Sequence, residues 1–352
     1  MSYLRRHLYG FAMFATVIGV LLGVDLYSRR GFAHVSSSVV GEAEPTPQPS
    51  PDLDELAEVS PRAISLFVIS HRDGDLTRLW KKLGIKTINI SEHQQLDPKD
   101  FSFLSKCNSC KADEYYHELD GEPGHEVIVK VEDGTMQASR FLILKELDDP
   151  VGTWKLLGHI DSDLDKYRPS QHSVVATDAG PLLIVTSQGA SGSGVAMYVS
   201  RVFAIQPTGI RQIMSYVAEG SQAGYFARYS RSFFGSLVSA KKENGAYVIH
   251  LSLSAKYFGS DPNLNSAMHL FTKTQKAVYS RYLKASDAHL LTHQSELTER
   301  ELEDVYNIDS LSDAEFLRYN AKELEQIRLG NDEARKEWLQ QFLDKCYGRD
   351  EC

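Results

Sequence analysis

What this chain has little of narrows its identity first. Basic residues are the minority, 38 Lys and Arg against 47 Asp and Glu, and the resulting net charge of −9 argues against a general nucleic-acid binder. The familiar catalytic signatures are missing. There is no H-E-x-x-H zinc helix and no Rossmann fingerprint, and no Gly-Lys-Ser/Thr follows the glycine–serine stretch Gln188–Gly194 to make a P-loop. That stretch also fails as G-x-S-x-G, because Ser193 stands where the last glycine is required. Ser239 to Lys242 fits S-x-x-K but lacks the companion motifs of a penicillin-binding enzyme. No repeat period is evident, which counts against a propeller. The 12 histidines are scattered, and one uncharged run, Leu8–Val24, is almost wholly apolar.

That one run carries the strongest statement about address. Its seventeen uncharged residues follow Arg5, Arg6 and His7 and lie near the lower limit for a helix that spans a bilayer. The preceding arginines favour a cytoplasmic N-terminus, although Arg29 and Arg30 beyond the run weaken the bias. No good small-residue cleavage site follows, so an uncleaved signal-anchor is preferred to a signal peptide. Residues 1–7 then form a short cytoplasmic N-terminus and 8–27 a transmembrane anchor. Residues 28–61, with prolines at 45, 47, 49, 51 and 61 among serines and acidic residues, read as a disordered stalk. The body is expected on the periplasmic, extracellular or lumenal side.

With 42% hydrophobic and 24% charged residues, the body has the composition of an ordinary globular protein. Its expected class is α+β, in three parts. Residues 62–124 form a small α/β subdomain with a CxxC. It opens with a strand–helix–strand unit: the apolar run Ala63–Ser70, a helix capped by Asp75 with Leu76, Leu79, Trp80 and Leu83 on one face, then Lys86–Ile90. Residues 125–290 form a mainly antiparallel β domain of many short strands, with turns expected at Asp133-Gly134, Glu219-Gly220 and Asn244-Gly245. Residues 291–352 are acidic and helical, three helices begun at Thr298, Ser312 and Asn331. Charge is unevenly divided: Gln294–Cys352 carries a net −8, and Ser221–His293 a net +6.

Three clusters are candidates for chemistry. Cys107, Cys110, Cys346 and Cys352 are expected to form disulfides in an oxidising compartment, with a thiol-redox role for Cys107-x-x-Cys110 as a lesser alternative. The CxxC looks like part of a loop rather than the strand-to-helix junction that redox chemistry uses. Asp161, Asp163 and Asp165 alternate after an apolar strand and could hold a divalent cation. An EF-hand reading fails, because Lys166 and His172 occupy the positions that need glycine and glutamate. The D-x-D pair resembles the metal–sugar-nucleotide site of many glycosyltransferases. Gln188, Gly189, Ser191, Gly192, Ser193 and Gly194 read as a flexible hairpin loop able to line a binding site.

Together these features favour a membrane-anchored binding, scaffold or envelope-associated module with a protein or envelope partner, no nucleic acid and no required cofactor. The alternative is an anchored enzyme, either a metal-dependent glycosyltransferase using Asp161 and Asp163 or a hydrolase whose site is not visible in the linear sequence. Nothing in the sequence specifies a reaction.

Overall fold

The computed structural model describes residues 59–85, 109–122, 124–134, 138–148, 152–162, 168–192, 195–223, 229–260, 267–282 and 313–347. Over these residues the chain is mostly antiparallel β-sheet with a few helices, which corrects the α+β expectation.

The correction begins at the first element. Pro61–Ser70 is a helix, α1, where a strand was expected. Its start is chemically marked: the Ser60 hydroxyl accepts a hydrogen bond from the Ala63 amide at 3.2 Å, and Pro61 sits in the first turn, where its missing N–H costs nothing. Ile64, Phe67 and Val68 fall on its buried face at helical spacing. An eight-residue apolar run fits strand and helix equally, and the cap decides between them. Helix α2, Thr77–Lys82, follows, with the Asp75 carboxylate accepting from the Thr77 amide at 2.7 Å. Gly84, at φ +70°, ends the turn after it, and the expected strand Lys86–Ile90 lies outside the described residues.

Among the described residues eleven strands make two sheets. The first is a four-stranded antiparallel meander of β1 (Lys111–His117), β2 (Glu126–Glu132), β3 (Ser139–Glu146) and β4 (Trp154–Asp161). The second has seven strands in chain order: β5 (Gln171–Val175), β6 (Leu182–Gly192), β7 (Val195–Gln206), β8 (Gly209–Ala223), β9 (Tyr229–Glu243), β10 (Ala246–Ser260) and β11 (Ala267–Tyr282). Register assigns the faces of the first sheet. Val127, Val129, Val131, Leu142 and Leu144 pack against α1 and α2 around Phe67, Leu79 and Trp80. The alternate residues Ile128, Phe141, Ile143 and Ile160 meet Leu183 and Val185 of β6 and Phe203 and Ile205 of β7. The first sheet is therefore the middle of three layers, so β2 and β3 read as nearly continuous apolar runs.

The long strands hold features that look like turns in the sequence. Glu219-Gly220 is paired in mid-strand, with Gly220 opposite both Met197 and Phe233. Its glycine serves close approach: a Cβ there would lie 3.1 Å from the Met197 side chain and 3.2 Å from the Ala196 carbonyl. Asn244-Gly245 does form the β9–β10 turn, with φ of +51° and +82°. Gly245→Ala should cost about 1 kcal/mol and lower the thermal midpoint by a few degrees, because alanine strains at positive φ. An unchanged midpoint in calorimetry would contradict that assignment.

The chain divides into two compact units, one containing Pro49–Tyr257 and Phe271–Tyr319, the other containing Phe258–Leu270 and Asn320–Cys352. In the first, helix α3 (Asp313–Tyr319) inserts Phe316 among aromatic rings, stacked on Tyr229 at 4.1 Å between centroids and flanked by Tyr257 and Phe271. In the second, α4 (Ala321–Leu329) and α5 (Glu333–Tyr347) bury Leu324, Ile327, Trp338, Leu339 and Phe342. The single helix expected from Ser312 to Leu329 is thus two, broken at buried Asn320. The helix expected from Thr298 lies outside the described residues.

Two further expectations are corrected. Among the described residues no helix is long and apolar enough to cross a membrane; Leu8–Val24 lies outside them. No disulfide joins two described residues either. Cys110 is buried at 4% exposure and is not a free thiol. Cys346 lies in the backbone of α5, and Cys107 and Cys352 fall outside the described residues.

Candidate functional site

A cluster of histidine and tyrosine side chains lies where the edge strands of the two sheets meet. Pairing of β1 with β2 sets Tyr115 opposite Ile128 and His117 opposite Glu126, so both point to the face that Ile128 turns toward the second sheet. Pairing of β5 with β6 sets His172 opposite Val185, which faces the first sheet. The two registers therefore bring His172 against Tyr115 (4.4 Å between ring centroids), Phe141 (5.6 Å) and His117 (6.1 Å), each edge-on. Lys130, on the same face, lies 6.0 Å from the Phe141 ring and binds Glu132 at 2.5 Å.

Burial and like charge set the protonation of this cluster. The His172 imidazole is pushed down to about 4, first by loss of water and then by the positive charge of His117 and Lys130. Burial also lowers His117, whose Nε2 is buried and makes no hydrogen bond among the described residues. The Tyr115 phenol is raised by burial, with Asp113 and Glu132 adding to the effect. Both imidazoles are therefore neutral at physiological pH. No group of three or more His, Cys, Asp or Glu able to hold a metal occurs among the described residues.

The acidic cluster lands elsewhere. Asp161 ends β4 directly opposite Arg140, whose Nε and Nη2 donate to its two carboxylate oxygens at 2.6 and 2.8 Å. Arg140 is only 2% exposed and lies over the Trp80 ring at 4.6 Å, while Arg201 donates to the Asp161 carbonyl at 2.7 Å. Burial alone would raise the Asp161 carboxyl; the hydrogen bonds and charge of Arg140, with His159 and Arg201, outweigh it and hold the group below its usual value. Both carboxylate oxygens are thus occupied by a structural ion pair. Asp163 and Asp165 lie outside the described residues.

A second buried ion cluster stands on β2 and β3. Lys145 reaches Asp120 at 2.6 Å and Glu126 at 3.2 Å, and Glu126 also accepts from the Leu119 amide at 2.7 Å. Burial raises the Glu126 carboxyl, with Asp120 adding to it, and the Leu119 and Lys145 hydrogen bonds only partly offset this. The role is to tie the segment before β2 to the sheet.

The glycine–serine stretch is largely strand. Gln188 is buried and paired with Tyr198, Gly189 forms a bulge, and Ser191 and Gly192 pair with Ala196 and Val195. A Cβ at Gly189 would collide with the Val199 side chain, which explains the glycine through packing. Ser193 and Gly194 lie outside the described residues. The histidine cluster was missed in the sequence because Lys111–His117 and Gln171–Val175 contain few apolar residues, and their proximity depends on two registers. No protein-family model matches this chain, and no curated protein matches it.

Proposed function

We propose that this chain is an extracytoplasmic binding or scaffold module, held at a membrane through its N-terminal region and acting on a protein or envelope partner. The observation that carries this reading is the form of the second sheet. Strands β8 to β11 are 15 or 16 residues long, about 50 Å each. Strand β11 is the outermost strand of that sheet among the described residues, and Val278 on it is 54% exposed. A long outer strand can be extended by a strand from a partner, with backbone hydrogen bonds supplying affinity and alternate side chains specificity. The Asp161 carboxylate, the leading catalytic candidate in the sequence, is engaged by Arg140 instead.

The test is site-specific photo-crosslinking in cells. A crosslinking residue in place of Val278 should capture one discrete partner, and the same residue in place of exposed Ile69 on α1 should not. Equal capture at both positions, or none at Val278, would overturn this reading.

A further inference from the structure

The geometry points to an acid-sensitive latch: His117 on β1 and His172 on β5 join the edges of the two sheets when neutral and release β5 when protonated. The inference stands on placement. Strand β5 is the shortest strand of its sheet, five residues, and forms one end of it. Among the described residues it has a ladder on one side only, to β6, and its other attachment there is side-chain packing. Much of that packing is the His172 ring against Tyr115, Phe141 and His117.

A proton on either imidazole has poor surroundings. On β1 the neighbours are the other histidine and the Tyr115 phenol, and on β3 the apolar Phe141 ring. On β2 the charge that bears on His172 is the cationic Lys130, while His117 stands opposite Glu126, whose carboxylate is engaged by Lys145; His172's cross-strand partner on β6 is Val185. The carboxylates on this face are placed against lysines. Glu132 binds Lys130, Glu126 binds Lys145, and exposed Asp113 is the register partner of Lys130. A second positive charge therefore meets a cation and aromatic edges, which carry partial positive charge, rather than an anion.

The sign follows from the lowered values. A histidine held at about 4 in the fold and near 6.5 when released contributes fully above pH 6.5. That contribution is lost as pH falls from about 6.5 to about 4, because the released state binds the proton more tightly. Below that window the group adds nothing further. The consequence is local, since β8 and β9 carry no part of the cluster and are hydrogen-bonded to neighbours on both sides.

Hydrogen exchange of the full chain, corrected for the intrinsic pH dependence, tests this. Between pH 7.5 and 4.5 the opening of Gln171–Val175 should increase at least about 10-fold relative to β8. His172→Phe, which keeps an aromatic ring but cannot take a proton, should reduce that rise to below about 3-fold, and His117→Phe should reduce it in part. His172→Gln provides a smaller neutral side chain should the phenylalanine overpack the site. An equal rise in the wild type and in both His172 variants would overturn the latch. So would an NMR titration that placed His172 at or above its ordinary value.

Discussion

Asp161→Ala is expected to destabilise the fold by about 3 kcal/mol, at the lower end of what breaking a buried ion pair costs. The effect arises at Arg140. Arg140 is 2% exposed, its guanidinium is pinned over Trp80, and it donates to both carboxylate oxygens of Asp161. Removing the carboxylate leaves a buried cation without its counter-charge, and Arg140 Nη1 already lacks a hydrogen-bond partner in the described structure. The Asp161 side chain is 39% exposed, so water can enter and soften the loss, hence the lower end of the range. Arg140→Met/Asp161→Leu should recover most of the stability, because replacing both partners with apolar groups removes the desolvation cost as well as the attraction. Chemical denaturation of the two single variants and the double variant reads this directly. Additive losses in the double variant would refute the pairing.

This pair and the histidine latch respond to acid in different windows. The Asp161 carboxyl is depressed in the fold, so its contribution is complete above its unfolded value near 3.9 and is lost as pH falls through the lower folded value. His172 loses its contribution earlier, between about 6.5 and 4. Acid unfolding should therefore proceed in two stages, with β5 loosening before the β3–β4 pair.

Gly259→Ala should be the most damaging single-methyl change in the second unit, costing about 2–3 kcal/mol through overpacking. A Cβ at this position would collide with the Trp338 indole nitrogen and lie 2.7 Å from two ring carbons. The obstruction is a planar ring held on α5 beside Phe342, 5.3 Å away between centroids, so it cannot swing aside as a flexible chain end would. Either α5 shifts or β10 bends. Trp338→Ala alone should cost about 3–5 kcal/mol from lost burial, and in that background Gly259→Ala should be nearly silent. Limited proteolysis of α5, run alongside denaturation of the four proteins in the cycle, separates local release from global loss. A full 2–3 kcal/mol penalty for Gly259→Ala without the indole would show that the glycine is needed for another reason.

The elements differ in how far the sequence reveals them. Strand β10 is legible: Tyr247, Ile249, Leu251 and Leu253 recur at every second position on one face, and all four are buried. The Asn244-Gly245 turn is legible through its chemistry. Helix α1 was not read correctly, although Ser60 and Pro61 mark its start, because its apolar run carries no periodicity in so short a window. Strands β1 and β5 were missed altogether. Sequences such as KADEYYH and QHSVV carry too little apolar alternation, and each is a strand because a more hydrophobic neighbour pairs with it.

By itself the sequence determined the local chemistry: the cap at Ser60, the Asp75 turn that leads into α2, the hairpin at Asn244-Gly245, and the apolar alternation that made β-structure the dominant element. Those features depend on residues a few positions apart, so short-range sterics and hydrogen bonding suffice. Only the tertiary structure decided which polar side chains matter together. Asp161 looked like a metal ligand until Arg140, 21 positions away, was found to occupy it. His117 and His172 became neighbours only when two sheets were stacked in particular registers. A one-residue slip in either register would turn those side chains to the opposite face, and no stretch of sequence around them encodes that choice alone.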